Sequence, residues 1–377
     1  MAGLGVNEPL IGQPGSRWRL QTPALVVDLD AMEANIAAMA AWAKAKGMAL
    51  RPHAKTHKSP EVARRQVAAG AVGICCATLG EAETIAEAGL AGAHITSPVV
   101  PAGKLDRLAR LNATAERLSL VADHPDNVDA LAAVAERSTR PLSVVLDVDT
   151  GIGRTGVADT QMGLALARRI AAAERLRLVG VQGYAGNLQH IYDVAERRAA
   201  MPERMQLTKN VVAALREAGL APPIVTGGGT GTHQLDAEFG LLNELQTGSY
   251  VFMDADYAKV EQPGGIVFKP ALFVQASVVS ASYDDHVTVD AGLKAFATDG
   301  KAPVPMAGAP AGATYRFRGD EHGLVDLPAG APKPKLGAYI TLFNPHCDPT
   351  VNLHNVYHVV RGDMLVDIWP VAARGRV

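Results

Sequence analysis

Only three cysteines, Cys75, Cys76 and Cys347, stand in this chain of 377 residues, with neither zinc-finger spacing nor the pattern of a disulfide framework. A reducing compartment fits that scarcity. Charge of one sign is lacking too: the formal net charge is -2 with no large basic block, which argues against nucleic-acid and membrane-surface partners. No run approaches the ~20 apolar residues of a membrane span. The residues from Met1 to Trp18 lack the basic and then apolar segments that open a secreted chain. These absences point to a cytoplasmic protein. What remains is an ordinary globular composition, 48% hydrophobic and 20% charged, long enough for a large barrel plus a smaller module.

Short β-rich runs alternate with amphipathic helical stretches through the first two thirds of the chain. The runs fall at 24–28, 48–50, 74–76, 94–96, 118–121, 142–148, 178–184, 224–226 and 244–246. Such alternation predicts a parallel sheet covered by helices, and one unbroken series favours a closed (β/α)8 TIM-like barrel over a doubly wound open sheet. There are nine runs where a barrel needs eight, so the first is expected to belong partly to the second module. The pattern changes near Gln262-Pro263-Gly264-Gly265. Beyond it lie β-rich runs at 271–281, 286–290, 338–342, 357–361 and 364–369, separated by Gly-Pro-rich loops at 302–313 and 328–335. That is the signature of an antiparallel β domain. The expected division is a barrel over 24–265 and a β domain over 266–377, with 1–23 packing on the latter.

The chemistry-bearing residues cluster after strand ends. In Leu-Arg-Pro-His-Ala-Lys-Thr-His-Lys-Ser-Pro (50–60), Lys55 sits between His53 and His57, and Ser59 and Pro60 suit the N-cap and first position of a helix. Burial and neighbouring cations are expected to lower the Lys55 pKa, as a Schiff-base amine requires. Thr226-Gly227-Gly228-Gly229-Thr230-Gly231 follows a strand directly, and Gly248-Ser249-Tyr250 follows the next. Donor-rich turns after the last two strands of a barrel suit one small phosphate. Neither has P-loop or dinucleotide-fingerprint spacing. Arg154, in a glycine-rich turn, could donate to a ring nitrogen or a carboxylate. Beyond another strand end come Tyr184 and His190; an imidazole there could take a proton from a substrate hydroxyl. In Pro-His-Cys-Asp-Pro-Thr (345–350), an extended backbone would turn His346 and Asp348 to one side and Cys347 away, offering a divalent cation two ligands. Taken singly, each motif has a plain structural explanation.

Together they resemble one family. Arg-Pro-His-Ala-Lys-Thr-His-Lys (51–58), Thr-Gly-Gly-Gly-Thr-Gly (226–231), Gly-Ser-Tyr-Val-Phe-Met-Asp-Ala-Asp-Tyr (248–257), Asp-Ala-Gly-Leu-Lys (290–294), Asp-Glu-His-Gly (320–323) and His-Cys-Asp-Pro-Thr (346–350) are similar, in order, to the D-threonine aldolase and D-serine dehydratase family. The resemblance implies a pyridoxal 5'-phosphate enzyme with an alanine-racemase-like barrel. It implies that Lys55 holds the cofactor, that Arg154 faces its pyridine nitrogen, and that Gly228, Gly229, Thr230, Gly248, Ser249 and Tyr250 hold its phosphate. His346 and Asp348 would bind Mn2+ or Mg2+, with Zn2+ the softer alternative. His190 would be the base, and His53, Tyr184 and Asp320 would line the site. The fold analogy also implies a homodimer.

In this family the residue two after the metal-motif histidine separates dehydratases, which resemble His-x-Cys, from aldolases, which resemble His-x-Asp. Asp348 stands there, so the resemblance implies retro-aldol cleavage of a β-hydroxy-D-amino acid to glycine and an aldehyde. Ala77-Thr78-Leu79-Gly80 and Thr96-Ser97-Pro98 depart from the familiar aldolase pattern, at strand ends that could face substrate. The rival readings are a D-serine or 3-hydroxy-D-aspartate dehydratase, a non-catalytic pyridoxal-phosphate carrier, and a metal-dependent barrel hydrolase.

Overall fold

A computed structural model describes residues 5–264 and 266–377. The expected boundary residue Gly265, and the first four residues of the 1–23 segment, lie outside the described residues. Strand β1 (Ala24–Asp28) comes first. Eight short parallel strands follow: β2 (Ala49–Leu50), β3 (Ile74–Cys76), β4 (Ala93–Ile95), β5 (Ser119–Ala122), β6 (Leu142–Asp147), β7 (Leu176–Gly183), β8 (Ile224–Gly227) and β9 (Glu244–Leu245). Helices α1 (Leu29–Ala45), α2 (Pro60–Ala68), α3 (Leu79–Glu87), α4 (Ala102–Thr114), α5 (Pro125–Glu136), α6 (Thr160–Ala172), α7 (Val194–Glu217) and α8 (His233–Phe239) cover them. Side-chain caps start several helices: the Asp28 carboxylate accepts from the Ala31 amide at 3.0 Å and Thr78 Oγ1 from the Glu81 amide at 3.2 Å.

The sheet runs β2-β9-β8-β7-β6-β5-β4-β3. Its ends meet just past β2. His53 bridges to Cys75, the Cys75 amide donates to the Pro52 carbonyl at 2.9 Å, and the Val72 amide donates to the Leu50 carbonyl at 2.8 Å. The segment that carries Lys55 is therefore also the barrel's closing seam.

The surplus ninth run is β1, and it belongs to the other sheet. It pairs antiparallel with β10 (Leu272–Ser280) and parallel with β16 (Val356–Arg361). With both edges taken and Leu25, Val26 and Val27 fully buried, β1 is a central strand there. The expected barrel start at residue 24 thus moves past Asp28. The sheet also contains β11 (His286–Val289), β12 (Val304–Pro305), β13 (Thr314–Phe317), β14 (Gly323–Asp326), β15 (Tyr339–Phe343) and β17 (Met364–Pro370). The β13–β14 hairpin is absent from the strand-like runs of the sequence. The residues before β1 pack on this sheet, through Gly12 N–H to the Leu365 carbonyl (2.8 Å) and Asn7 Nδ2 against His358 Nε2 (2.9 Å). Among the described residues no helix is long and apolar enough to cross a membrane.

One ion pair ties the barrel together at the seam. Arg51, just past β2, donates to both Glu244 oxygens of β9 at 3.0 and 2.9 Å, and to the Gly92 carbonyl before β4 at 2.5 Å. The two side chains are only 11% and 5% exposed. Removing one partner of a buried pair strands the other charge, at a cost of about 3 kcal/mol. Glu244→Ala is therefore expected to lower the denaturant midpoint markedly, whereas the double variant Arg51→Met/Glu244→Leu recovers part of the loss. A double variant less stable than Glu244→Ala would show that the pair is a net source of stability.

Candidate active site

The loops beyond the strand ends enclose a cavity of about 330 Å3. Its floor is the turn after β2. A 3-10 turn, Ala54–Thr56, is started by His53, whose Nδ1 accepts from the Lys55 amide at 3.3 Å. The proton of that ring is thus on Nε2, which faces Thr96 Oγ1 at 3.1 Å; Thr96 in turn donates to the Cys76 carbonyl at 3.2 Å. Burial, with Lys55 and the other imidazoles beside it, holds His53 well below the usual histidine pKa. His53 is a neutral wall residue.

Lys55 lies in the cavity with Nζ 3.5 Å from Asp348 Oδ2. Its pKa is raised, against expectation. Burial lowers it and Arg154 opposes the charge, but the Asp348 carboxylate and Tyr184 outweigh both. The decisive partner comes from the other domain.

The turns after β8 and β9 stand side by side because these strands pair in register, Thr226 opposite Glu244 and Gly227 opposite Leu245. Gly229, Thr230, Gly248 and Ser249 line the cavity. The amides of Thr230, Gly248 and Ser249 have no acceptor among the described residues. Three unengaged N–H groups on residues that line one cavity suit an anion cradle. Two of the expected phosphate residues stand behind it. Gly228 has φ of 68°, and a Cβ there would collide with the buried Asp236 carboxylate. The Tyr250 ring is buried, its hydroxyl receives Gln66 Nε2 at 3.1 Å, and its amide is already spent on Thr230 Oγ1 at 2.9 Å. Both shape the cradle without lining it.

Arg154 and Tyr184 line the cavity as expected. Three amides, of Gly151, Ile152 and Gly153, hold the Asp149 carboxylate at 3.0, 2.9 and 3.1 Å and so fix the turn preceding Arg154. The Arg154 guanidinium makes no ion pair or hydrogen bond among the described residues, leaving its fork for a ligand. Beneath it, buried Gln182 donates to Asp147 Oδ1 (2.9 Å) and accepts from Gln246 Nε2 (3.0 Å). Burial pushes the Asp147 carboxyl up to about 6.

His190 stands at the cavity mouth, 53% exposed, with Nδ1 2.7 Å from Asp256 Oδ2. The other Asp256 oxygen receives the Tyr192 hydroxyl at 2.5 Å. His346 and Asp348 reach the cavity from the β domain. Their backbone is not the expected extended loop: His346 is extended, and a short helix, α9 (Cys347–Val351), begins after it. The outcome for the side chains is nonetheless the one expected of an extended strand. Cys347 turns into the core, its Sγ 3.3 Å from the Met253 carbonyl, while His346 Nδ1 meets Asp299 Oδ2 at 2.8 Å. Asp348 Oδ1 is buried with no hydrogen-bond partner.

Asp320 is not among the lining residues of this chain; it is exposed in the β domain, 3.9 Å from Lys294. Of the positions that depart from the aldolase pattern, Ala77, Thr96 and Ser97 line the cavity. Gln182, Gln246, Thr155 and Tyr257 complete it, and Asp256 and Asp299 support its histidines. Asp256 and Tyr257 fall inside the 248–257 motif, but nothing in the sequence marks their side chains as site residues; Gln182, Gln246, Thr155 and Asp299 carry no distinctive spacing at all.

Residues 27–256 match the family model for the alanine racemase N-terminal domain, and residues 271–360 the putative serine dehydratase domain. The chain is 41% identical to a D-threonine aldolase of an Arthrobacter species, over 98% of this chain and 97% of that one. It is 38% identical to a 3-hydroxy-D-aspartate aldolase of Paracoccus denitrificans, over 100% and 98%. The crystal structure of D-threonine aldolase from Filomicrobium marinum superposes with a TM-score of 0.91 at 40% identity, covering 96% and 97% of the two chains. A D-threo-3-hydroxyaspartate dehydratase, a cysteine-to-alanine mutant in the metal-free form, superposes at 0.83 with 30% identity, covering 96% and 98%.

Several imidazoles around the site are buried and neutral. Burial holds both His94, below the cavity floor, and His233, behind the cradle, at about 4. The unfolded chain takes up these protons near 6.5 and the folded chain only near 4. The stability they confer is complete above pH 6.5 and is lost as pH falls toward 4. The denaturant midpoint is expected to drop across that window, and His94→Gln to flatten the drop. A slope unchanged in His94→Gln would show that His94 does not contribute.

Proposed function

Because the chain belongs to the D-threonine aldolase and D-serine dehydratase family, whose aldolases are carbon–carbon lyases, we propose that it cleaves β-hydroxy-D-amino acids of the D-threonine type to glycine and an aldehyde, using pyridoxal phosphate and a divalent metal. The observation that carries the aldolase reading is Asp348. It faces the cavity two residues after His346, and the neighbouring cysteine is buried away from it.

The residues fit the cofactor. An amine (Lys55), three unengaged amides and an unpaired guanidinium (Arg154) line one cavity, matching an aldehyde, a phosphate and a ring nitrogen. When bound, pyridoxal phosphate supplies an electron sink for the pair released as Cα–Cβ breaks. Lys55 Nζ would anchor it, the Thr230, Gly248 and Ser249 amides would hold its phosphate, and Arg154 would leave the ring nitrogen unprotonated because a guanidinium does not give up its proton. The cavity also fits a metal in part. His346 and the unpartnered Asp348 Oδ1 supply two ligands, with Asp299 orienting the imidazole. Among the described residues no third His, Cys, Asp or Glu joins them, so water and substrate would have to supply the remaining ligands. A metal there would lower the pKa of the substrate hydroxyl. His190 then takes the hydroxyl proton on Nε2 as the C–C bond breaks.

The dehydratase reading would put a softer donor at position 348 and release a 2-oxo acid. A non-catalytic carrier has no use for His346 and Asp348 at the cavity. Incubation of the reconstituted protein with D-threonine, with and without chelator, is expected to yield glycine and acetaldehyde only with metal present. Lys55→Ala loses cofactor and turnover together, whereas Asp348→Ala keeps the cofactor's visible absorbance and loses at least ~10²-fold in kcat. A 2-oxo acid product would replace this reading with the dehydratase.

The lining also bears on the substrate's side chain. Its two permanent cations, Lys55 and Arg154, are both assigned to the cofactor. With the metal taken by the substrate hydroxyl, no cationic side chain among the described lining residues is left for a second carboxylate, and an unpaired buried charge costs roughly 2 kcal/mol or more. D-threonine and D-phenylserine are therefore expected to exceed 3-hydroxy-D-aspartate in kcat/KM by at least ~10-fold. Equal or reversed values would refute this preference.

A further inference from the structure

We propose that Asp256, itself held by Tyr192, is a positioning residue that fixes His190 in the tautomer with its proton on Nδ1 and its lone pair on Nε2 free for the substrate. The proposal rests on the reading of His190 as base and explains what makes it one.

His190 follows β7 in an irregular loop and is more than half exposed. Apart from a tilted ring contact with Tyr257 at 5.4 Å between centroids, Asp256 is what holds it. An imidazole in that position turns freely and exchanges tautomers unless a partner at one nitrogen decides the matter. Asp256 has the required properties. Its Oδ2 lies 2.7 Å from His190 Nδ1, and its Oδ1 accepts the Tyr192 hydroxyl at 2.5 Å. Tyr192 in turn accepts from Lys301 Nζ at 3.4 Å, and the same ammonium stands over its ring at 5.1 Å. The phenol proton is thereby directed to Asp256 and not back to Lys301.

Two donors, the Tyr192 hydroxyl and His190 Nδ1, end on one carboxylate, and Lys301 stands behind the first. Burial pushes Asp256 up, but Tyr192, His190 and Lys301 outweigh that, so it stays ionised and can only accept. An acceptor-only partner leaves Nδ1 no alternative to carrying the proton. The carboxylate does not drift either: the Asp256 amide donates to Asp254 Oδ1 at 3.2 Å, and a 3-10 turn, Tyr257–Lys259, starts at Asp256. An exposed His–Asp pair on its own is worth little. Here the second oxygen is pinned by a separate residue, and the imidazole it orients lines the cavity. An aspartate that orients a catalytic imidazole through Nδ1 while Nε2 handles the proton is the logic of hydrolytic triads.

The test uses the holoenzyme with cofactor and metal. Asp256→Asn is expected to lower kcat by about 10²-fold with KM within about threefold, leaving the cofactor absorbance and unfolding midpoint unchanged. Asp256→Glu, which keeps an acceptor-only carboxylate, recovers part of kcat. In protein labelled with 15N-histidine, His190 shows protonated Nδ1 in the wild type and a mixed or reversed tautomer in Asp256→Asn. Tyr192→Phe, a milder change, lowers kcat severalfold in the same direction. If His190→Ala is inactive while Asp256→Asn turns over like wild type, the positioning role is refuted and the base assignment stands. If His190→Ala is fully active, the base assignment falls, and a wild-type His190 protonated on Nε2 would remove the proposal with it.

Discussion

One buried carboxylate connects both halves of the catalytic cavity. Asp254 is fully buried between the barrel's last turn and the β domain. Through Oδ1 it accepts the amides of Asp256 (3.2 Å) and Tyr257 (2.9 Å), and through Oδ2 the amide of Cys347 (3.1 Å). The first pair sets the turn that carries the His190 partner. The third bond sets the start of α9 and with it the directions of His346 and Asp348. Burial pushes the carboxyl up, and the Tyr257 and Cys347 amides oppose that by favouring the charged form. Around this hub the domains are stitched by backbone: the Ala255 amide donates to the Asn344 carbonyl (3.0 Å), Ala271 to Phe252 (2.8 Å), and Ala373 to Lys58 (3.0 Å). The Tyr357 hydroxyl adds a bond to the His57 carbonyl at 2.5 Å. The two domains therefore share one rigid seam, and a cavity built across it keeps its geometry.

The barrel interior answers a second demand. Its upper layer is polar: His94, Gln182, Gln246, Thr226 and Asp147 are joined by hydrogen bonds of 2.9 to 3.3 Å. A polar layer inside a barrel is costly unless its members satisfy one another, and here most do. It occupies the side chains directly beneath the cavity and leaves the backbone amides of the glycine-rich turns, just above, unspent. The cradle's donors are free because the layer below uses its own.

Much of this was legible. The βα alternation gave the barrel, and the ninth run's ambiguity had a physical source. A strand buried on both faces reads as continuous apolar residues whichever sheet it joins, so Ala24–Asp28 declared itself a strand without declaring its neighbours. The β13–β14 hairpin is hard to read because Thr-Tyr-Arg-Phe and Gly-Leu-Val-Asp are short and lie between two Gly-Pro-rich stretches. Local motifs predicted which backbone segments reach the cavity, since glycine turns after strands announce themselves. They could not predict side-chain partners across the domain seam. The Lys55 pKa was expected to fall from its sequence neighbours, and it rises because Asp348, nearly 300 residues away, lies 3.5 Å from Nζ. Tyr250 differs from expectation for a related reason: the turn approaches the cavity, but the ring points to Gln66 behind it.

The same seam explains the order of His346, Cys347 and Asp348. Asp254 takes the Cys347 amide and the Met253 carbonyl takes the Cys347 thiol, so the first residue of α9 must face the core. The preceding, extended residue and the following, helical one then face the cavity together, and no rotation of α9 brings the thiol there without breaking both bonds. Burial also pushes that thiol well above its usual pKa, removing the thiolate that a metal would need. The choice between a thiolate and a carboxylate donor is thus confined to position 348. A carboxylate there does two things at once that a thiolate does poorly: it offers a hard oxygen to a divalent cation, and it shares its second oxygen with the Lys55 ammonium. The amine that would hold the cofactor and the carboxylate that would hold the metal are kept in register by their attraction for each other.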